Sequence, residues 1–288
     1  TTVKYLYYVL SNDVQYFREK ASGMGSLPQI STPVTEEYKV PLPALPVQRE
    51  IVRILDEFTL LSAELSAELA ARKKQYEYYR DTLLQFDSKI PRLPLGDVCY
   101  IKARIGWQRL TKAEYLQEGN YYLITGVDIT GSKVDLNHCW YVSKERYEMD
   151  ENIQLQNGDI IVTKDGTIGK VAMIDNLDKP AVLNSHLFVI RDKTDKIHPR
   201  FLMYYLKSSF FADFISKNKT QGTIPGLNQN MIIKFPLPIP PLNDQQKIIS
   251  ILDCFDALCD DVSTGLLAEI EARQKQYEYY RDQLLTFK

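Results

Sequence analysis

The sequence lacks the features that mark a secreted or membrane-spanning protein. No apolar run approaches the roughly 20 residues that span a bilayer, and nothing near Thr1 resembles a signal peptide. Only four cysteines occur among 288 residues, without regular spacing. Such thiols indicate a reducing compartment rather than a disulfide scaffold. These absences predict a cytoplasmic protein that does not associate with a membrane.

Signatures of catalysis and of bound cofactors are also missing. Residues 166–170 lack the spacing of a P-loop, and neither Gly-x-Gly-x-x-Gly nor the Asn/Asp-Pro-Pro-Tyr motif of adenine methylation occurs. His138, His186 and His198 form no metal-binding pair, and Cys139 lacks a CxxC partner. The sequence therefore predicts no enzyme, no metal site and no cofactor in this chain.

What the chain does contain is an internal repeat. Residues 74–81, with the sequence KQYEYYRD, recur unchanged as residues 275–282. The likeness extends upstream, so that residues 4–86 as a whole resemble residues 200–287. Two copies of one unit in one chain favour a pseudo-symmetric molecule that meets a two-part target.

Each copy carries a long apolar stripe with the three- and four-residue spacing of a heptad seam. The first stripe runs over residues 51–86 and the second over 248–287, where Leu258 and Val262 are among the seam positions. We expect two long helices that pair as an antiparallel coiled coil. The alternative is that each helix packs only on its own domain.

The first helix also contains a tandem four-residue unit, Leu-Ser-Ala-Glu, at residues 61–68. Gain or loss of one such unit changes the length of a helix by about 6 Å. That property suits a helix whose length measures a distance.

The repeat divides the chain into four predicted segments. Residues 97–199 have no counterpart before the first copy, so we expect the chain to begin inside a domain and residues 1–45 to pack less well than 200–240. The segments are 1–46, the remnant of a first recognition-type domain; 47–90, the first helix; 91–242, a complete second domain; and 243–288, the second helix.

The complete domain is expected to be α+β, with a curved β-sheet and helices. Short runs rich in β-branched and aromatic residues predict its strands, and a helical stretch follows at residues 199–217. The predicted strands lie at residues 121–124, 159–163, 170–174, 181–183 and 187–190.

Charge is distributed unevenly along the chain. The net charge is −2, yet residues 97–240 carry 18 Lys and Arg against 16 Asp and Glu. Residues 244–288 carry 5 against 9. Any contact with nucleic acid must therefore use local patches of the central domain, and the acidic helices are expected to face protein.

Three loops of the central domain place basic and amide side chains beside glycine. Arg, Lys, Asn and Gln pair with base edges, Lys and Thr bind phosphates, and Gly permits close approach of the backbone. Basic loops are also commonly plain solvated surface. The predicted DNA contacts are Lys102, Arg104, Trp107, Gln108, Arg109, Lys164, Thr167, Lys170, Lys219, Gln221, Thr223 and Asn228.

A second predicted surface lies on the helices. Glu77 and Tyr78 in the first copy, and Glu278 and Tyr279 in the second, fall off the apolar seams. A surface presented twice can recruit two copies of one partner, so these four residues form the predicted subunit interface.

In combination, several segments resemble the specificity subunit of type I restriction–modification systems. The likeness covers nearly all of the chain. The segments that carry it are residues 93–99, 158–171, 222–227 and 238–248, together with the Leu-Ser-Ala-Glu units.

The resemblance implies an architecture and a set of partners. In that family, two target-recognition domains alternate with two conserved helices that form an antiparallel coiled coil. Each domain reads half of a split site in double-stranded DNA, and helix length sets the gap. The subunit is not catalytic. It docks two modification subunits, which bind S-adenosylmethionine and methylate adenine N6, and ATP-dependent restriction subunits join some complexes. A chain with one complete recognition domain would act as a truncated subunit that pairs with itself.

Two other classes of protein remain open. A coiled-coil scaffold would show no salt-dependent DNA binding, whereas phosphate contacts make binding fall steeply with salt. A specificity fragment of a fused methyltransferase would be expected to bind the cofactor by itself.

Overall fold

The computed structural model describes residues 2–21, 29–104, 110–218, 220 and 226–287. The chain divides into two compact units, the first formed by residues 1–74 and 258–288 and the second by residues 75–257. The helices are α1 (Val3–Asn12), α2 (Val14–Lys20), α3 (Thr32–Glu37), α4 (Leu45–Leu83), α5 (Leu95–Val98), α6 (Lys144–Glu148), α7 (Pro199–Lys207), α8 (Ser209–Asn218), α9 (Gln229–Ile232) and α10 (Leu242–Leu285). The strands are β1 (Arg92–Pro94), β2 (Cys99–Lys102), β3 (Tyr122–Ile124), β4 (Ile129–Thr130), β5 (Lys133–Val134), β6 (Trp140–Tyr141), β7 (Gln154–Leu155), β8 (Ile160–Thr163), β9 (Val171–Met173), β10 (Ala181–Leu183), β11 (Leu187–Asp192) and β12 (Pro236–Pro238).

The second unit is built on two four-stranded sheets. One has the order β6-β3-β10-β7, with β3 and β10 parallel, and the other is antiparallel with the order β2-β11-β8-β9. The antiparallel sheet is covered on both faces. Ile161 packs with side chains of the other sheet, whereas Ile160 and Val162 pack with α7. Because both faces are buried, β8 is apolar without alternation.

The predicted α+β class and the five predicted strands are confirmed. The strands that the sequence did not indicate have two to four residues, too few for a periodic signal. The predicted helical stretch is interrupted at Ser208, where the backbone becomes extended. There the Ser208 hydroxyl donates to the Tyr205 carbonyl at 2.6 Å, which terminates α7 before α8 begins.

In the first unit, the start of α4 is tied to α1 by polar side chains. Asp56 accepts hydrogen bonds from the Tyr8 hydroxyl and from Lys4 Nζ, both at 2.6 Å. Burial and the Asp56 carboxylate raise the pKa of Tyr8 to about 12. Gln48 Oε1 accepts from the backbone N–H of Thr2 at 3.0 Å, so the beginnings of both helices are held together.

The second unit repeats this arrangement at the equivalent positions of the second copy. Asp253 accepts from the Tyr204 hydroxyl at 2.7 Å and from Arg200 Nε at 2.6 Å. Gln245 Oε1 accepts from the backbone N–H of His198 at 2.8 Å. The repeat in the sequence is therefore a repeat of the junction between domain and helix.

The two long helices pack together and run antiparallel, as predicted. In the first unit, Phe58 stacks on Tyr280, with ring centroids 5.5 Å apart. In the second unit, Tyr79 contacts Phe255 at 5.9 Å. Phe58 corresponds to Phe255 and Tyr79 to Tyr280 in the repeat, so one contact is made twice, between the start of one helix and the end of the other.

The predicted seam of the second helix is wrong at three positions in its first half. Ile251, Leu258 and Val262 are exposed, 42%, 56% and 44%, and Cys259 and Ser263 are the half-buried residues beside the last two. Leu252 is fully buried in the core of the second unit. Tertiary contacts of this kind fix the rotation of a helix, which apolar content alone does not reveal.

Burial differs between the equivalent helices of the two copies. Within α1, three residues are buried, and none is buried in α2 or α3. Within α7, six residues are buried.

Candidate nucleic-acid interface

The first two predicted loops leave the antiparallel sheet at the same end. Lys102, at the end of β2, pairs with Val189 of β11. Thr163, at the end of β8, pairs with Leu187 at the start of β11. The segment after β2, the β8–β9 loop and the segment before β11 are therefore neighbours.

The third predicted loop joins them through backbone hydrogen bonds. The Lys164 carbonyl accepts from Leu227 N–H at 2.7 Å, and Asp165 and Gly226 form an antiparallel bridge. Gly226 N–H in turn donates to the hydroxyl of Thr220 at 2.9 Å. We define the loop cluster as residues 102–104, 164–170, 184–186, 220 and 226–228.

The backbone of the β8–β9 loop is held by one threonine. The Thr163 hydroxyl donates to the carbonyl of Thr167 and accepts from Lys170 N–H, the latter at 2.9 Å. Gly166 and Gly169 adopt φ values of +67° and +85°, a region that side chains other than glycine disfavour. The loop is therefore a defined platform for its side chains.

The described contact residues differ in exposure. Lys102, Thr167 and Asn228 are exposed, and Lys164 and Lys170 are half-buried. Asn228 Oδ1 caps α9 by accepting from a backbone N–H at 3.0 Å. The cluster thus gathers three lysines with two small polar side chains, a set suited to a polyanion. Trp107, Gln108, Arg109, Lys219, Gln221 and Thr223 lie outside the described residues.

Arg104 does not fit its predicted role. Its side chain is buried, with 3% of the residue exposed, and Nε donates to the carbonyl of Leu183 at 3.0 Å. Burial lowers the pKa of this guanidinium. A guanidinium held inside the domain cannot reach a DNA groove. The structural role of Arg104 is instead to link the segment after β2 to the end of β10.

Sequence reasoning overlooked His186. It lies between β10 and β11, is exposed, and places Nδ1 2.5 Å from Asp165 Oδ1. The signal in the sequence was a polar turn, Asn184-Ser185-His186, between two apolar strands.

The predicted subunit interface is presented twice with the same geometry. Tyr78 is 67% exposed and meets Tyr79 edge to face at 5.5 Å, and Tyr279, 61% exposed, meets Tyr280 at 5.4 Å. Glu77 and Glu278 are exposed beside them. We call residues 77–79 and 278–280 the twin tyrosine patches.

Among the described residues, no group of three or more His, Cys, Asp or Glu could hold a metal ion. Likewise, none of the described helices combines the length and the apolar character needed to cross a membrane.

Comparison with known proteins decides the family. A family model for the type I restriction modification DNA specificity domain matches residues 1–71 and 92–272. The chain belongs to this family. Members of the type I specificity family are the DNA-recognition components of restriction–modification complexes and are not themselves catalytic, so both of these expectations are confirmed.

Curated relatives carry the family name over most of the chain. The specificity subunit of the type I restriction enzyme EcoR124I/EcoR124II from Escherichia coli is 34% identical over 294 residues, which cover 100% of this chain and 71% of that protein. A putative type I specificity subunit from Mycoplasma pneumoniae, S.MpnORF615P, is 30% identical and covers 86% of this chain and 92% of its own length.

Solved structures share the fold. A chain from a study of complex assembly in the type I restriction–modification system aligns with a TM-score of 0.65 at 18% identity, over 98% of this chain and 70% of that one. The HsdS subunit from Thermoanaerobacter tengcongensis aligns with a TM-score of 0.53 at 17% identity, over 98% of this chain and 69% of that one.

Proposed function

We propose that this chain reads one half of a two-part site in double-stranded DNA through the loop cluster of its second unit. The observation that carries the proposal is that the described parts of the three predicted loops meet at one end of one sheet. Loops that are far apart in sequence become a single polar surface there, which is what contact with a DNA groove requires.

The charges of the cluster suit two kinds of contact. Lys102, Lys164 and Lys170 would bind phosphates, which gives affinity that depends on salt but not on sequence. Thr167 and Asn228 are exposed polar side chains that could approach base edges. Affinity and sequence choice would then come from different residues of the same surface.

We propose that the twin tyrosine patches bind two modification subunits, one per copy of the repeat. Equivalent side chains in equivalent geometry present the same surface to two identical partners. Exposed tyrosines are typical anchors of protein interfaces. In this proposal the partners supply S-adenosylmethionine and the methylation of adenine N6, and ATP-dependent restriction subunits can join the complex. The expected compartment is the cytoplasm, where the chain would meet host DNA.

The test is co-expression of this chain with a type I modification subunit, followed by mapping of methylated adenines across the host genome. We expect methylation within a split motif. Two unlike halves would mean that both units of one chain read DNA, and an inverted repeat would mean that two chains each use one second unit.

The test variant replaces Lys102, Lys164 and Lys170 by alanine. The control variant replaces two exposed lysines outside the loop cluster by alanine, Lys144 of α6 and Lys247 of α10. The first variant should lose methylation and the second should keep it. A stable complex that methylates no defined motif would contradict the proposal, and so would equal activity of the two variants.

A second experiment addresses the patches. Tyr78→Ala and Tyr279→Ala should each reduce the number of bound modification subunits from two to one, as measured by native mass spectrometry. The double variant should bind none. Retention of both partners by the double variant would exclude the patches as the docking surface.

A further inference from the structure

We infer that His186 is a specificity-determining DNA contact of the loop cluster, and that Asp165 is the residue that positions it. The inference rests on the proposed function and goes beyond it by identifying one side chain that selects a base. His186 stands where three elements meet, because β10 ends just before it, β11 starts just after it, and the β8–β9 loop lies beside it.

The backbone of His186 is fixed from both sides. Its N–H donates to Oδ1 of the buried Asn184 at 2.8 Å, and its carbonyl accepts from Lys164 N–H at 2.9 Å. The second bond extends the pairing of β8 with β11 by one residue. The side chain therefore projects from a rigid support, as precise recognition requires.

The imidazole is oriented as well. Nδ1 lies 2.5 Å from Asp165 Oδ1, and the Asp165 backbone is bridged to Gly226. A carboxylate accepts the hydrogen of Nδ1, which leaves Nε2 as the nitrogen available to a ligand. Half of the His186 side chain is exposed, against 30% for Asp165, so the ring is accessible and its support is more protected.

The carboxylate that contacts the ring favours a base edge over a phosphate as the partner of Nε2. The Asp165 carboxylate repels a phosphate that approaches the ring, whereas a base edge carries no net charge. In the neutral ring, Nε2 accepts a hydrogen bond and matches the amino group of adenine or cytosine in the major groove. In the protonated ring, Nε2 donates and matches guanine N7 or O6. In either state, one nitrogen with a fixed direction selects among base pairs.

The chain contains a matched control for this pair. His138 Nδ1 lies 2.7 Å from Asp135 Oδ2, and the His138 side chain is 84% exposed. This pair has the same chemistry, but it lies on the 3-10 turn before β6, in the other sheet of the unit. It is a more solvated surface pair and lies outside the loop cluster.

The experiment uses the full complex of this chain with modification subunits. Binding is measured to a duplex that carries the motif found by methylation mapping and to duplexes with single base-pair changes in that motif. Each measurement is made at two salt concentrations. His186→Ala should reduce the preference for one base pair by about tenfold or more, leaving the salt slope unchanged. His138→Ala should match the unsubstituted protein in both quantities.

Variants of Asp165 test the positioning role. Asp165→Asn keeps an oxygen acceptor for Nδ1 and should retain the preference, whereas Asp165→Ala should lose it at the same base pair as His186→Ala. A structural role would instead weaken binding to every duplex alike.

Three results would overturn the inference. His186→Ala could leave every preference intact, or it could weaken all duplexes equally with a shallower salt slope, the mark of a phosphate contact. In both cases the proposed function would still hold, provided that the unsubstituted complex prefers its motif over the altered duplexes. If the unsubstituted complex does not discriminate among duplexes, the proposed function fails together with the inference.

Discussion

Lys102 and Arg104 lie two residues apart, but Lys102 is exposed to solvent and Arg104 is buried, so only Lys102 is accessible to a ligand. Along β2, buried and exposed residues alternate, and Lys102 is on the exposed face. After the strand ends, this alternation no longer holds, and Arg104 turns inward to the Leu183 carbonyl. A basic side chain in a loop was evident from sequence, but its direction was set by the end of the strand.

We predict that Arg104→Ala lowers the free energy of unfolding by about 2 kcal/mol, because a charged donor buried against a carbonyl is lost. Chemical denaturation of the purified chain measures the change. Lys102→Ala is the control and should change stability by less than about 0.5 kcal/mol. If Arg104→Ala were as stable as the control, the guanidinium would have to be accessible after all.

The two glycines of the β8–β9 loop give a paired prediction. Both have positive φ, but a Cβ at Gly166 would meet no heavy atom within 4 Å, whereas a Cβ at Gly169 would lie 2.9 Å from Ile215 Cδ1. Gly166→Ala should cost about 1 kcal/mol, from backbone strain alone. Gly169→Ala should cost about 0.5–1 kcal/mol more, because the Cδ1 end of the Ile215 side chain must also move aside. Equal losses in thermal denaturation would contradict this order.

At the scale of elements, the junction between recognition domain and helix is the conserved feature of the two copies. A tyrosine on the first helix of each copy donates to an aspartate that is the twelfth residue of the long helix, Tyr8 to Asp56 and Tyr204 to Asp253. Burial, together with the hydrogen bond to Asp253, raises the pKa of Tyr204 well above its usual range. The helix therefore leaves its domain in a fixed direction.

We predict that Asp253→Ala lowers the free energy of unfolding of the second unit by about 2 kcal/mol. The change removes the acceptor of both Tyr204 and Arg200 and leaves a buried hydroxyl less well bonded. Hydrogen exchange at α7 and at the start of α10 locates the loss. The exposed Asp261, on the same helix, serves as control, and Asp261→Ala should leave exchange unchanged.

The heptad pattern determined that the long helices pair, but not the rotation of every turn. Most of the first stripe is buried or half-buried as predicted, whereas Leu258 and Val262 of the second stripe face outward. The second stripe has one four-residue step more than the first, a stutter that locally unwinds a coiled coil and shifts the seam. Which phase is adopted depends on the residues that the domain core holds at the start of the helix.

At the scale of the whole molecule, the repeat makes one set of contacts twice. Leu84, near the end of the first helix, is buried in the core of the second unit, and Leu285 is buried in the core of the first. Each unit therefore contains the start of one long helix and the end of the other.

We predict that deletion of residues 65–68, one Leu-Ser-Ala-Glu unit, changes the gap of the methylated motif and not its bases. Four residues shorten the helix by about 6 Å, which corresponds to about one or two base pairs at about 3.4 Å per pair. Methylome mapping after co-expression measures the gap. The length-preserving variant Glu64→Gln with Glu68→Gln should leave it unchanged, and an unaltered gap in the deletion would argue against a measuring role.

The sequence by itself showed the internal repeat, the pairing of two long helices and the positions of the basic loops, which follow from self-similarity, local periodicity and composition. The class of the protein came from the resemblance of several segments in combination to one family. The tertiary structure alone decided which loop residues share a surface, that Arg104 faces inward, and that His186 stands beside Asp165. Those outcomes depend on strand register, since β2, β8 and β11 are distant in sequence and are aligned only by their hydrogen bonds.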